Sequence, residues 1–133
     1  MPKKALQPSD LPKPANFSQG IEVAGSRMIL VAGNVAVDAA GKTVAPGDIK
    51  GQTRQVLANI EKVLAEAGAT RDDIVKITTF LTDLKNYPGF AEVRGEFLKP
   101  PYPASTAVQA QLINPEWLVE IEAVAVSGRS RKV

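Results

Sequence analysis

The order of apolar and polar positions divides the chain into strand-like and helix-like segments. Residues 17–23 and 27–34 are β-prone runs separated by small turn residues at 24–26, which predicts two strands joined by a tight turn. The run RMILVAGN at 27–34 is nearly continuously apolar, as is typical of a strand covered on both faces. Three later β-prone runs predict strands over 74–82, 104–111 and 118–126.

Two segments have the periodicity of an amphipathic helix. The stronger one covers residues 48–67, where Asp48 is suited to cap the first-turn amides and Gly68 to end the helix in the left-handed conformation. The second runs from about residue 88 to residue 99, and Pro100–Pro101 ends it because proline cannot continue a helix.

The resulting element order is β-β-α-β-α-β-β, which predicts an α+β fold. One sheet with both helices packed on one face is the simplest arrangement, with right-handed crossovers. The opposite face then carries Val, Ala and Thr side chains that no helix covers, which indicates an oligomer. Four prolines in residues 1–15 predict an extended arm, residues 16–128 form a single domain, and residues 129–133 form a basic tail.

Composition narrows the possible functions. At 133 residues, 44% hydrophobic and 23% charged, the chain resembles one ordinary globular domain. Cysteine and histidine are both absent, which excludes disulfides, thiolate catalysis and the commonest general base. We expect neither a signal peptide nor a membrane span, because no apolar run of the required length is present. These features together favour a cytoplasmic protein.

The net charge of +2 is unevenly distributed. Five of the 16 basic residues lie near the ends, so the body of the chain has 11 basic against 14 acidic residues. With 5% aromatic residues, the chain lacks the interleaved aromatic and basic side chains that bind nucleic acid. We expect the basic ends to be solubilising and nucleic-acid binding to be a minor alternative.

Candidate chemistry concentrates in residues 100–126. The last predicted strand carries Glu120 and Glu122 within an apolar run, and residues two apart in a strand share a face. Because a buried carboxylate is costly without a partner, this pair marks a candidate site. Glu120 is either an acid–base residue or an interface carboxylate satisfied by a neighbouring subunit, whereas we expect Glu122 to be structural. Two carboxylates alone are too few to predict a cation site.

Six motifs, in order along nearly the whole chain, resemble the RidA/YjgF family of small homotrimeric proteins. They are FSQGI at 17–21, VAGN at 31–34, GDIKGQTRQVLANIEKVLAEAGAT at 47–70, DDIVKITTFLTDL at 72–84, PPYPA at 100–104 and VEIEAVAV at 119–126. The resemblance implies a chorismate-mutase-like homotrimer whose sheets face inward, with three clefts between neighbouring subunits.

The resemblance also implies an activity. Active members of the family are deaminases that hydrolyse reactive enamines and imines, such as 2-aminoacrylate, to keto acids and ammonia without metal or cofactor. Their chemistry needs an arginine fork for the substrate carboxylate and a glutamate that positions water or relays protons. Backbone amides and a tyrosine or serine hydroxyl complete the pocket.

This chain departs from the family pattern at three of these functions. Ser105 stands where the resemblance places the carboxylate-binding arginine, directly after Pro103–Ala104. Phe17 stands in place of the pocket tyrosine, and Ala32 in place of the serine before the strand glycine. Only Glu120 retains the functional group that the family uses.

The remaining pocket residues follow from the same resemblance. They are the backbone at Gly33 and Ala107, the side chain of Asn34, and the hydroxyls of Ser105 and Thr106, which are otherwise ordinary β-formers. A glycine within a strand often marks the close approach of another backbone or of a ligand.

We therefore expect a RidA-like protein that binds a small metabolite between subunits, with water addition to a C=N or enamine carbon altered or lost. A charged hydrogen-bonded pair contributes about 1.5–3 kcal/mol, which the Ser105 hydroxyl does not replace. Arg27 and Arg94 are the candidates to supply the missing guanidinium, although Arg94 is expected to face solvent from the second helix. The alternative is a non-enzymatic binding or chaperone-like module, or an RNA-interacting one, which the absence of histidine and of a basic patch disfavours.

Overall fold

The computed structural model describes residues 3–128. Within this range the strands are β1 (Lys3–Leu6), β2 (Gly20–Val23), β3 (Arg27–Asn34), β4 (Ile74–Leu81), β5 (Ala104–Gln109) and β6 (Val119–Ser127), and the helices are α1 (Ile49–Glu66) and α2 (Tyr87–Phe97). The predicted basic tail at 129–133 lies outside the described residues.

Four strands form the main sheet, in the order β3-β6-β4-β5. β6 is antiparallel to both of its neighbours, whereas β4 and β5 are parallel. A parallel pair needs a crossover connection, and α2 lies within the connection between β4 and β5. The predicted α+β class, with two helices and a sheet, is confirmed.

Burial alternates along β6 and divides the sheet into two faces. Val119, Ile121 and Ala123 are buried, whereas Glu120 is half-buried and Glu122 is exposed. The buried face joins one core with apolar residues of both helices, namely Val56, Leu57, Ile60 and Leu64 of α1 and Phe90, Val93 and Phe97 of α2. We call the opposite face of the sheet, which carries Glu120 and Glu122, the open face.

The ends of α1 match the sequence prediction. The Asp48 carboxylate accepts a hydrogen bond from the Gly51 amide at 3.1 Å and caps the first turn. At the other end Gly68 has a φ of 70°, a left-handed conformation that glycine adopts without a Cβ clash.

The N-terminal strands differ from the prediction. β2 starts at Gly20 instead of Phe17, and it pairs with β1 in a separate two-stranded sheet instead of pairing with β3. The sequence did not indicate β1, because four residues that begin with two lysines show no apolar alternation. The Lys3 ammonium donates to the Asp72 carbonyl, and partial burial lowers its pKa despite nearby carboxylates.

The prediction that β3 is covered on both faces is wrong for the single subunit. Met28 and Leu30 are 68% and 73% exposed, although both lie in the most apolar run of the chain. Their partners across the strand pair are Val126 and Val124 of β6. The open face of the sheet therefore has an exposed apolar edge at β3.

Gln52 connects α1 to the segment that leads into β6, and it is fully buried. Its amide donates to the Glu116 carbonyl at 2.9 Å and accepts from the Leu118 amide at 2.9 Å. Gln52→Leu leaves both backbone groups unsatisfied, so we expect the free energy of unfolding to fall by about 2–4 kcal/mol. Chemical denaturation at a fixed protein concentration measures this loss.

Lys62→Leu is the matched control, because Lys62 lies on the same helix and is exposed. A surface change of this kind alters stability by about 0.5 kcal/mol or less. Equal effects of the two substitutions would show that the Gln52 hydrogen bonds do not stabilise the fold.

Candidate functional site

Glu120 lies on the open face, directly against the backbone of the neighbouring strand. A Cβ built on Gly33 would lie 2.0 Å from Glu120 Oε2, so any side chain at position 33 would displace the carboxylate. The glycine on β3 thus creates the space for the glutamate on β6. Glu120 and Gly33, which were both assigned to the candidate pocket, therefore lie next to each other.

A cavity of about 370 Å³ opens beside the Glu120 carboxylate. Its other lining residues are Phe80 and the four residues 110–113, of which Ile113 is 91% exposed. This segment was not expected at the site, because the sequence predicts a strand as far as residue 111, whereas β5 ends at Gln109. The early end of β5 turns the following residues into a loop that faces Glu120.

Ala32 and Asn34 flank the glycine at the end of β3. The Asn34 side-chain amide donates to the Ala32 carbonyl at 2.9 Å, and the β3–β6 register shifts between Val31 and Asn34. The Asn34 amide group therefore supports its own irregular strand end. Ala32 is exposed beside it.

Ser105 lies on the other side of the sheet from Glu120. It pairs in register with the buried Ile77, whereas Glu120 pairs with Phe80 of the open face. The Ser105 hydroxyl instead faces α2, where Arg94 Nη1 lies 3.4 Å away. Arg94, one of the two arginines considered as a replacement for the missing guanidinium, is therefore the one that contacts Ser105.

The prediction that Arg94 faces solvent is wrong. Its side chain is 4% exposed, because it extends from the sheet-facing side of α2 among aromatic rings. The guanidinium carbon lies 5.6 Å from the Phe17 ring, 5.8 Å from the Tyr87 ring and 5.1 Å from the Phe90 ring. A single arginine between apolar residues of a short helix gives no sequence signal that separates burial from exposure.

The polar partners of Arg94 are few. Nη2 lies 3.5 Å from the Tyr87 hydroxyl, and Nε is buried without a hydrogen-bond partner. No carboxylate of residues 3–128 lies within ion-pair distance of this guanidinium. Phe17, which the family pattern places at the pocket, therefore contributes a ring to the surroundings of a buried cation.

The other candidates have separate environments. Thr106 points to the open face, where its hydroxyl accepts a hydrogen bond from Lys76 Nζ at 2.7 Å. Ala107 follows Ser105 on the helix side of β5 and is exposed. Arg27 donates to the Ala67 carbonyl at the end of α1 at 2.8 Å, so it supports a helix terminus.

Within one subunit, the predicted site residues form two groups. Glu120, Gly33, Asn34 and Ala32 lie at the β3–β6 pair, whereas Ser105, Ala107 and Phe17 lie at β5, beyond β4. The side chains of Glu120 and Ser105 project from opposite faces. One chain therefore does not bring the two groups together.

Residues 3–128 contain no cluster of three or more acidic side chains placed to hold a metal ion. In the same range, neither helix has the length and apolarity that crossing a bilayer requires.

Comparisons with known proteins identify the family and its fold. The family model described as Endoribonuclease L-PSP matches residues 9–127. A RutC family protein of Pyrococcus abyssi is 37% identical over 126 residues, which cover 94% of this chain and 98% of that protein. The crystal structure of a Rid family protein of unknown function from Yersinia pestis superimposes with a TM-score of 0.83 at 36% identity, covering 95% of this chain and 99% of the other.

A second solved structure, a member of the YjgF/YER057c/UK114 family from Mycobacterium tuberculosis, has a TM-score of 0.66 at 32% identity and covers 83% of this chain and 86% of its own. These similarities define the class as the small α+β proteins with the Rid-type fold. The chain belongs to the Rid/YjgF family, which includes the RutC proteins and is matched by the Endoribonuclease L-PSP model.

The contact between Gly33 and Glu120 gives a direct test of the site. In Gly33→Ala the new Cβ overlaps only the end of a flexible side chain, so we expect the carboxylate to move and the free energy of unfolding to change by about 1 kcal/mol or less. A crystal structure of the variant shows the position of Glu120, and denaturation measures the stability.

Gly20→Ala is the control, because its Cβ would meet Leu6 only at an ordinary 3.6 Å. An unmoved Glu120 in Gly33→Ala, or a loss of fold in that variant alone, would contradict the description of this contact.

Proposed function

We propose that this protein is a homotrimer that binds a small metabolite in clefts between its subunits. The open face supports the assembly, because Met28, Leu30 and Val108 expose 68%, 73% and 42% of their surface in one subunit. Exposed apolar side chains at both edges of one sheet face are typical of a protein interface. A neighbouring subunit also provides the means to combine the Glu120 group with the Ser105 group, which one subunit keeps apart.

We propose a hydrolytic reaction at these clefts, in which water adds to the carbon of an imine. Glu120 takes a proton from the attacking water and passes it to the nitrogen, which gives a carbinolamine. It then moves the hydroxyl proton of the carbinolamine to the nitrogen as the C–N bond breaks, which releases ammonia and leaves a carbonyl. The observation that carries this proposal is the half-buried Glu120 carboxylate, held at a cavity by the Gly33 backbone. Backbone amides near Gly33 and Ala107 would polarise the substrate.

The substrate range differs from that of relatives with an arginine after Pro-Ala. Ser105 provides a neutral hydroxyl at that position, and Phe17 and Ala32 make the surroundings more apolar. We therefore propose that small substrates such as 2-iminobutyrate turn over slowly, and that a longer unsaturated imino acid, of the 2-aminomuconate kind, fits better. A turnover of 2-iminobutyrate comparable to that of arginine-bearing relatives would overturn this assignment.

A second candidate is a binding or RNA-interacting role without imine hydrolysis, and the name of the matching family model, Endoribonuclease L-PSP, points to RNA as the partner. The chain has no histidine for the acid–base steps of RNA cleavage. Salt-sensitive RNA binding that disappears when the terminal basic residues are deleted would support this role over the deaminase.

If the open face forms the trimer interface, a charge introduced there should dissociate the trimer. Leu30→Glu places a carboxylate at the proposed interface, and burial of an unpaired charge is unfavourable. We expect the trimer to dissociate to monomers, as measured by sedimentation equilibrium.

Leu84→Glu is the matched control, because Leu84 is 57% exposed but lies outside the sheet, in the turn before α2. A trimer that survives Leu30→Glu, or a wild-type protein that is monomeric at micromolar concentration, would refute the proposed assembly.

Replacing the glutamate tests the reaction. General acid–base catalysis contributes about 10²- to 10⁴-fold, so we expect Glu120→Gln to lower kcat by about 100-fold or more. Ammonia release from a panel of imino acids, generated in place from their amino acids, measures the rates of wild type and variant.

Glu122→Gln is the control on the same strand face, since Glu122 is exposed and two residues away. We expect its rates to stay within about twofold of wild type. Equal rates for Glu120→Gln and wild type would remove Glu120 from the mechanism, and the absence of turnover on the whole panel would favour the binding role.

A further inference from the structure

Arg94 carries a buried positive charge without a negative partner. Its side chain is 4% exposed, its Nε has no hydrogen-bond partner, and no carboxylate of residues 3–128 lies within ion-pair distance. Arginine keeps its charge in proteins, and an unpaired buried charge is strongly unfavourable. Arg54 and Arg71 differ, because each lies against a glutamate, Glu96 at 3.6 Å and Glu61 at 3.0 Å.

The hydrogen bonds that Arg94 does make are weak. The Ser105 and Tyr87 hydroxyls lie 3.4 Å and 3.5 Å from its two terminal nitrogens, well beyond the usual N–H···O distance of about 2.9 Å. Three aromatic rings around the guanidinium exclude water and strengthen any charge interaction there. The group that fits this guanidinium is a planar anion that accepts two parallel hydrogen bonds.

Arg94 lies close to an accessible surface of the sheet. Ser105 and Tyr87, which contact it, are only half-buried, and Ala107 next along the same side of β5 is exposed. The guanidinium therefore lies about one side chain below the surface. Ser105 has a small side chain, so it fills less of the space between Arg94 and this surface than an arginine at position 105 would.

We propose that Arg94 is the anion-binding residue of this protein and holds the carboxylate of a small organic acid beneath Ser105. The site lies on the helix side of β5, and its positive charge comes from α2 instead of the strand. The inference deepens the proposed function and rests on it for the reaction at the cleft. Carboxylate binding beneath Ser105 is independent of turnover, so tight binding of a small 2-oxo acid and slow turnover of 2-iminobutyrate are expected together.

One consequence concerns the residue at position 105. Because Arg94 already occupies the space behind it, Ser105→Arg brings two guanidinium groups together, and like charges at this distance repel. Ser105→Arg is therefore expected to lower the melting temperature and to leave carboxylate binding unrestored.

The test uses 2-oxobutyrate, a stable carboxylate that needs no turnover, and its neutral analogue butan-2-one. Titration calorimetry on the full chain measures both. We expect wild type to bind 2-oxobutyrate at least tenfold more tightly than butan-2-one, and Arg94→Gln to weaken 2-oxobutyrate binding by about tenfold or more, as expected for the loss of a charged hydrogen-bonded pair. Arg54→Gln, an exposed arginine in an ion pair, is the control and should bind as wild type does.

A second variant keeps the test informative if Arg94→Gln does not fold. Ser105→Asp places a carboxylate of the chain itself within reach of Arg94 and fills the anion site from inside. We expect its melting temperature to exceed that of wild type by about 3 °C or more, and 2-oxobutyrate binding to be lost. Ser105→Asn, which has the same size without the charge, should show neither change.

Three results would overturn the inference: equal binding of 2-oxobutyrate and butan-2-one to wild type, tight 2-oxobutyrate binding by Arg94→Gln, or tight binding by Ser105→Asp. The variant Glu120→Gln distinguishes failure of the Arg94 inference from failure of the proposed function. If that variant loses turnover while the Arg94 variants still bind the carboxylate, the reaction assignment stands and the Arg94 site fails. If the Arg94 variants lose carboxylate binding as expected and no imino acid is hydrolysed, the Arg94 site stands and the reaction assignment fails.

Discussion

The position of β6 between β3 and β4 is the constraint on which the rest of the fold depends. Because its side chains alternate, Val119, Ile121 and Ala123 bind the helices to one face while Glu120 and Glu122 are directed to the other. A shift of one residue in either pairing would bury the carboxylates under the helices and expose the core residues. The core and the candidate site are thus set by the same register.

The charged side chains on the two faces of the sheet have opposite environments. On the open face, Glu120 rests on a glycine backbone beside a cavity, and solvent limits the cost of its charge. On the helix side, Arg94 is enclosed by rings, with two long hydrogen bonds to hydroxyls. Binding sites typically contain a charged side chain that lowers the stability of the free protein and becomes paired when the ligand binds. Stability is exchanged for function at such a site.

The sequence predicted most of the architecture, because the strongest signals are local. Asp48 and Gly68 marked both ends of α1, and the alternation around Glu120 identified the face it lies on. The sequence did not predict β1, whose short polar strand depends on pairing with Gly20–Val23. It also placed Arg94 in solvent, since only tertiary packing against Phe17 and Phe90 decides its burial. The resemblance drew attention to position 105, but only the packing of α2 on β5 shows that Arg94 contacts Ser105.

The segment at 17–18 has a further consequence, because β5 is an edge strand of the main sheet. Ser18 bridges to Ala104 in parallel, its amide bonds the Pro103 carbonyl at 3.0 Å, and its hydroxyl donates to the Tyr102 carbonyl at 2.6 Å. These bonds occupy backbone groups that would otherwise be free to pair with the edge of another sheet, the usual start of strand-mediated aggregation. The segment that puts an aromatic ring beside Arg94 therefore also shields the start of β5, so a change at 17–18 would affect both the edge of the sheet and the surroundings of the guanidinium.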